Sequence, residues 1–322
     1  MDIVKIDGSW GEGGGQIIRT GMTMSAIMQM PITIFNARLQ RQKPGLQPQH
    51  LMACRAVEQI CSGQLVAAEL GSSKFSFYPG VIKSDEYNFN IGTAGSAILV
   101  AQTVIPILLQ AKQESLVRIT GGTNVPKSPG YDYFENVFLP AIKRFSANVE
   151  VRLIQSGYFP RGSGVIELTI KPSRLVGCSI WQRDHEIYAI IRLANLPAHI
   201  AEREKQVLNN FGIRHIQIYE EQTASPGNTI TIWQDFKGGC ELGVRGKLAE
   251  QVANDAYFAF KNEKGDVDRH LADQLLIYAA LAHGKTHYRS DVITDHLKTN
   301  HFVITKFLQR KIVIDEHNIV VE

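Results

Sequence analysis

Cysteine is scarce in this 322-residue chain, with only Cys54, Cys61, Cys178 and Cys240 present. Their spacing matches no metal-ligand pattern and their number supplies no disulfide framework. A stapled extracellular scaffold is therefore excluded, and a reducing cytoplasm is the expected compartment. No apolar run reaches the roughly 20 residues of a membrane-spanning helix, and the opening MDIVKIDGSW lacks a signal-peptide core, so no membrane association is expected. Charge of one sign is missing too. With 34 Lys and Arg against 31 Asp and Glu, the net charge of +3 permits an anionic partner without demanding one. The glycine-rich segments match neither GxxxxGK[ST] nor GxGxxG, so neither common nucleotide fold is implied.

What is present begins with the run Gly11-Glu-Gly-Gly-Gly-Gln16, followed by Ile17-Ile-Arg19 and an apolar, helix-prone stretch to Met28. Consecutive glycines let a backbone approach a ligand closely. The N–H groups and positive dipole end of the following helix, with Arg19 nearby, suit a phosphate. Glu12 is the odd member. A carboxylate repels phosphate unless a divalent cation lies between them, so the loop points to a metal-nucleotide; a structural turn is the plain alternative.

The small-residue turns line up as a repeat. Gly11–Gln16, Gly92-Thr-Ala-Gly-Ser96 and His270-Leu-Ala-Asp-Gln274 each open a helix. Each helix is followed by a strand, at 31–35, 115–120 and 286–289, and then by a second helix, at 49–61, 131–145 and 297–308. The fold expected is α/β (α+β), with three βαβα-type units that each place two helices on a four-stranded sheet. The first two turns are about 81 residues apart and the next two about 177. The surplus reads as a smaller α/β domain inserted at 177–265, leaving 1–176 plus 266–322 as the main domain. Within the insert, strands are expected at 186–193, 215–219 and 229–233, and helices at 198–210 and 248–260.

Several segments could carry chemistry. Arg38, Arg41, Lys43 and His50 crowd a loop stiffened by Pro44 and Pro48; guanidinium forks and ammonium groups suit phosphate oxygens, and a solvated basic loop is the alternative. The Gly- and Pro-rich loops 121–132 and 161–164 could line a pocket or simply turn. Asp273 at a helix start is explained by capping or, more sharply, by a ribose or metal contact. His296 opens the last helix, and a neutral imidazole there could attack the α-phosphorus of ATP.

These segments, in this order, resemble the RNA 3′-terminal phosphate cyclases along essentially the whole chain. The matching stretches are GEGGGQIIR at 11–19, R..R.KPGL..QH at 38–50, GTAGS at 92–96, GGT at 121–123, PGN at 226–228, LADQLL at 271–276 and HLKTN at 296–300. The resemblance implies the three-unit fold with its insert. It also implies an ATP-dependent reaction through a covalent histidine-AMP and an RNA-adenylate, which turns the 3′-terminal phosphate of RNA into a 2′,3′-cyclic phosphate. AMP and pyrophosphate are released.

By position, His296 is then the adenylated nucleophile, Arg19 a second catalytic residue, and Glu12 holds a divalent metal, Mg or Mn. Arg19, Arg38, Arg41, Lys43, Gln49 and His50 hold nucleotide phosphates or the RNA end. Gln102 and Pro129 line the adenosine pocket, and His270, Leu271, Ala272, Asp273 and Gln274 form the nucleotide-binding segment. His270 stands where some relatives have tyrosine. Asp295, where some have cysteine, would tune His296 or cap its helix. The alternative implied is a catalytically inactive, cyclase-like RNA-binding factor of ribosome assembly. No obligate protein partner is implied.

Overall fold

The structure, a computed structural model, describes residues 3–179, 181 and 186–322. The first unit runs β1 (Val4–Asp7), α1 (Gln16–Met28), β2 (Ile32–Phe35), α2 (Pro48–Ile60), β3 (Gln64–Val66) and β4 (Phe75–Tyr78). The second repeats the plan with β5 (Glu86–Asn90), α3 (Ala97–Leu108) and β6 (Ser115–Gly121). There the second helix is α4 (Tyr131–Tyr133), a π turn (Phe134–Phe138) and α5 (Leu139–Lys143), followed by β7 (Asn148–Gln155) and β8 (Gly164–Lys171). The sheet orders are β1-β2-β4-β3 and β5-β6-β8-β7, the same connection used twice. In each sheet the first pair is parallel and the rest antiparallel, as a βαβ crossover followed by a hairpin requires.

Strand and helix follow from side-chain pattern. β8 alternates buried and half-buried along nearly its whole length, the period of a strand with one face on the core. α3 is apolar almost throughout; eleven of its residues are buried, and the Ser96 hydroxyl accepts the Leu99 N–H as its cap. The expectation of one unbroken helix over 131–145 is corrected by the π turn at Phe134–Phe138.

The inserted segment comprises β9 (Tyr188–Ala194), α6 (His199–Asn210), β10 (His215–Glu221), β11 (Gly227–Gln234), β12 (Lys237–Leu242) and α7 (Ala249–Lys261). Its sheet, ordered β10-β9-β11-β12, packs α6 and α7 over an apolar cluster of its own that includes Ile191, Leu208, Ile230 and Phe260. β12 was missed by the sequence reading, because Gly238 and Gly239 look like a loop. At Gly239 a Cβ would lie 2.3 Å from the Phe260 backbone nitrogen, so glycine is there to let α7 lie on the strand. The expected start of the insert includes residues 180 and 182–185, which lie outside the described residues.

The third unit contributes α8 (Arg269–Leu281), β13 (Thr286–Arg289), α9 (Asp295–Ile304), β14 (Ile312–Asp315) and β15 (Asn318–Val321). Its sheet has three strands among the described residues, β13-β15-β14, not the four expected. The chain at 175–178 runs beside β13 instead: Gly177 N–H donates to His283 O at 2.8 Å and His287 N–H to Cys178 O at 3.1 Å. The inserted segment therefore enters after the position of that unit's first strand and before its first helix. One continuous core, including Ile18, Val104, Phe134 and Leu275, is shared by the three units. No helix among the described residues is long and apolar enough to cross a membrane.

Candidate active site

The glycine loop connects β1 to α1 and lies against α2 and α9. At Gly15 a Cβ would fall 2.2 Å from His50 Nε2 and 3.1 Å from Arg19 Nη1. Only glycine lets the backbone rest on that imidazole, so the loop, α2 and the first turn of α1 converge at one point. His50 is buried, and burial with the Arg19 and Arg38 charges pushes its imidazole down to about 3. It is therefore neutral, and its Nδ1 accepts the Gln47 N–H at 3.3 Å.

Besides His50, Arg41 of the basic loop reaches the glycine run, where it pairs with Glu12. Arg38 Nη1 instead donates to the carbonyls of Lys43 (2.7 Å) and Gly45 (2.9 Å), fixing the loop's shape, and the Lys43 side chain is exposed. Gln49 spans the first two units, its Oε1 accepting the Ser96 N–H at 3.0 Å.

Glu12 has a second neighbour: its Oε2 lies 2.7 Å from His296 Nδ1, close but off the line of a hydrogen bond. His296 is the second residue of α9. The expectation that Asp295 caps this helix is corrected, since Thr294 is the N-cap and its hydroxyl accepts the Leu297 N–H at 3.0 Å. Asp295 is exposed and reaches Lys298 at 3.2 Å. The His296 ring, 40% exposed, titrates below the ordinary imidazole range. Burial is the main cause; Arg19 and Arg41 add to it, while Asp273 and Asp295 oppose it.

Asp273 is also corrected as a cap. The N-cap of α8 is Asp268, whose carboxylate accepts the N–H groups of His270 and Leu271, and Asp273 sits more than a turn further in. Burial raises its carboxyl to about 7, against the pull of His296, Arg19 and the Thr294 hydroxyl. His270 is exposed, whereas Leu271 and Ala272 are fully buried, so those two side chains pack the segment into the core. Gln274 accepts from Gln102 Nε2 at 2.7 Å, and both line a cleft with Gln16, Arg19 and Asn300.

Asn300 lines the same cleft and was passed over by sequence reasoning. Buried at 2%, it accepts from Gln16 Nε2 (2.9 Å) and Thr20 Oγ1 (2.6 Å) and donates to Asp273 O (2.7 Å). It ties α1, α8 and α9 together below His296. Its place in the 296–300 stretch, one helical turn from the histidine, was the available signal. Pro129 stands apart from this group; its neighbour Gly130 packs on Asn124 and Cys240. Of the other matching stretches, Ser96 caps α3, Thr123 Oγ1 accepts the Gly157 N–H at 2.9 Å, and buried Asn228 bonds Glu204.

A family model described as RNA 3′-terminal phosphate cyclase matches residues 10–314. The chain belongs to the RNA 3′-terminal phosphate cyclase family. The cyclase of Archaeoglobus fulgidus is 37% identical over 328 residues, covering 99% of this chain and 100% of the relative. That of Pyrobaculum aerophilum is 37% identical over 96% of this chain and 93% of its own, and that of Methanococcoides burtonii 36% identical over 99% of each. Among solved structures, the enolpyruvyl transferase NikO of Streptomyces tendae gives a TM-score of 0.45 at 10% identity, covering 100% of this chain and 48% of its own. The family uses ATP and acts on RNA ends that carry a 3′-phosphate.

The donor set decides what kind of metal would fit. Among the described residues no three His, Cys, Asp or Glu side chains gather to hold an ion. Mg²⁺ and similar ions keep waters and bind through one or two carboxylates plus substrate phosphates, and Glu12 beside Arg41 fits a cation that arrives with the nucleotide.

Proposed function

We propose that this chain converts the 3′-terminal phosphate of RNA to a 2′,3′-cyclic phosphate, using ATP and a covalent adenylate on His296. The observation that carries the reading is the placement of a half-exposed imidazole, held neutral at physiological pH, at a helix start between Glu12 and Asp273.

Glu12 beside Nδ1 favours the tautomer protonated there, leaving the Nε2 lone pair for phosphorus. Nε2 attacks the α-phosphorus of ATP, the bond to the β-phosphate oxygen breaks, and pyrophosphate leaves. A terminal RNA phosphate oxygen then attacks the AMP phosphorus and releases Nε2. The neighbouring 2′-hydroxyl attacks the activated RNA phosphate, loses its proton and expels AMP. Activation is required because a phosphate monoester dianion is a poor electrophile and AMP supplies the leaving group.

Arg19 and Arg41 face the developing phosphate charge, and Glu12 would hold a nucleotide-borne cation between its carboxylate and the triphosphate. Such a cation supplies Lewis-acid charge neutralisation. Gln102 and Gln274 line the nucleotide cleft, the segment 270–274 with buried Asp273 packs behind it, Pro129 meets the adenosine from outside that cleft, and Lys43, Gln49 and the Arg38-braced loop guide the RNA end past buried His50. The segment 177–265 serves as an inserted domain that braces the third unit.

The test is incubation with α-phosphate-labelled ATP and a divalent metal, followed by a chase with RNA ending in 3′-phosphate. Acid-labile label on the wild type, absent from His296→Ala and discharged by the RNA, is expected. No label under any metal would leave the non-catalytic binding factor.

A further inference from the structure

One aromatic group near the site takes no part in the chemistry above. Trp10 immediately precedes the glycine run, and its indole stacks on Phe302 of α9 with ring centroids 4.2 Å apart and planes 9° from parallel. Lys306 Nζ lies 4.5 Å from the centroid of the same phenyl ring. The three side chains thus build a layered column of cation, phenyl and indole, with Trp10 as a large exposed member, 38% accessible to solvent. The part of the indole left open is reachable from solvent directly beside the glycine run.

The loop carrying it is pinned. Gly13 N–H donates to Trp10 O at 3.1 Å, and Gln40 Nε2 donates to Ser9 O at 3.0 Å. Glu12, two residues on, is the residue that touches both Arg41 and His296. Phe302 follows His296 by six residues, about 9 Å along α9. A cation belongs to the column itself: exposed Lys306 lies on Phe302, while Lys298, one turn before that ring on α9, pairs with Asp295 at 3.2 Å. A solvent-facing indole in a stack that carries a lysine can hold a single-stranded nucleic acid, by stacking on a base and attracting its phosphate.

We propose that Trp10, backed by Phe302 and Lys306, is a base-stacking subsite for the nucleotide at the 3′ end of the RNA. This rests on the cyclase reading of the site and adds to it the element that seats the RNA, as distinct from ATP. Stacking tolerates any base, so the subsite distinguishes a base from none and sets no sequence preference.

Oligoribonucleotides ending in 3′-phosphate, intact or abasic at the last or next-to-last position, test it with the full chain. Trp10→Ala should raise KM for intact RNA about tenfold, the scale of one lost stacking contact, while label transfer from ATP to the protein stays at the wild-type rate. At one position the abasic lesion should cost the wild type the same factor and cost Trp10→Ala nothing further. Trp10→Phe should recover most of the loss. Additive losses, an unchanged KM, or an equal fall in adenylation would show that the indole merely packs the glycine loop on α9.

Quenching of tryptophan fluorescence by the same RNA keeps the two proposals separate, because it needs no chemistry. If the wild type takes no covalent AMP, the cyclase reading fails. Quenching that disappears in Trp10→Ala would still support the subsite, and quenching that persists unchanged would overturn it.

Discussion

His296 Nδ1 lies 2.7 Å from Glu12 Oε2, joining the first helix turn of the third unit to the glycine loop of the first. Because Arg41 holds the other carboxylate oxygen, Glu12 balances one fixed cation and lies against one titratable ring.

Glu12→Gln removes that charge at nearly constant volume. Half-maximal adenylation should then need at least about tenfold more divalent metal, read from label incorporation across a metal titration. The denaturant midpoint should move little, since a partly exposed ion pair contributes only about 0–1 kcal/mol. An unchanged metal requirement would reduce Glu12 to a turn residue.

Asp273→Asn tests the buried carboxyl. Asp273 opposes the depression of the His296 pKa only while ionised, and its own carboxyl titrates at about 7. In an NMR titration the variant should lose the carboxyl step near 7, and its His296 ring should titrate no higher than in the wild type. An upward shift would contradict the arrangement described.

In the inserted segment, Glu204 is fully buried; Asn228 Nδ2 reaches one of its oxygens at 3.1 Å and the other has no partner. Burial raises its carboxyl from 4.5 to about 7. The folded state therefore holds the proton more tightly than the unfolded chain, and this contribution is complete below pH 4.5 and lost as pH rises through about 7. Glu204→Gln should flatten the stability profile across that window and gain up to about 3 kcal/mol at pH 8 relative to the wild type. Chemical denaturation at pH 5 and pH 8 measures the difference; parallel curves would refute it.

Arg192 bridges β9 to the second unit, donating to Asp132 from Nε (2.7 Å) and Nη2 (2.8 Å) and to Glu221 from Nη1 (2.6 Å). Arg192→Ala leaves Asp132 buried without its cation and should cost about 3–5 kcal/mol by denaturant unfolding. Arg192→Lys should recover little, because an ammonium cannot reproduce the fork. Near wild-type stability in either variant would show that the bridge is not needed to hold the segments together.

Much of the candidate site could be proposed from the sequence because its residues sit in short, composition-marked stretches. Glu12 and Arg19 belong to the glycine run and its helix, Arg41 and His50 to the proline-stiffened loop, and His296 to a helix start. Capping was misread at Asp273 and Asp295, since a carboxylate near a helix start looks the same whether it caps or lies inside; Asp268 and Thr294 do the capping. Asn300 was passed over because a lone asparagine has no local signal, and its three partners come from residues 16, 20 and 273. The same limit hid β12, whose glycines answer to Phe260 and Tyr133 and not to their neighbours in the chain.

The sequence by itself determined the repeat, the inserted segment and the types of residue available for phosphate and nucleophilic chemistry, because periodicity, glycine and charge act over a few neighbouring positions. Only the tertiary structure decided that Glu12 faces His296, that Arg38 is occupied with its own loop while Arg41 is not, and that Trp10 ends an exposed stack. The Glu12–His296 and Trp10–Phe302 outcomes depend on close approach between segments hundreds of residues apart, and the Arg38 outcome on how its loop folds back on its own carbonyls.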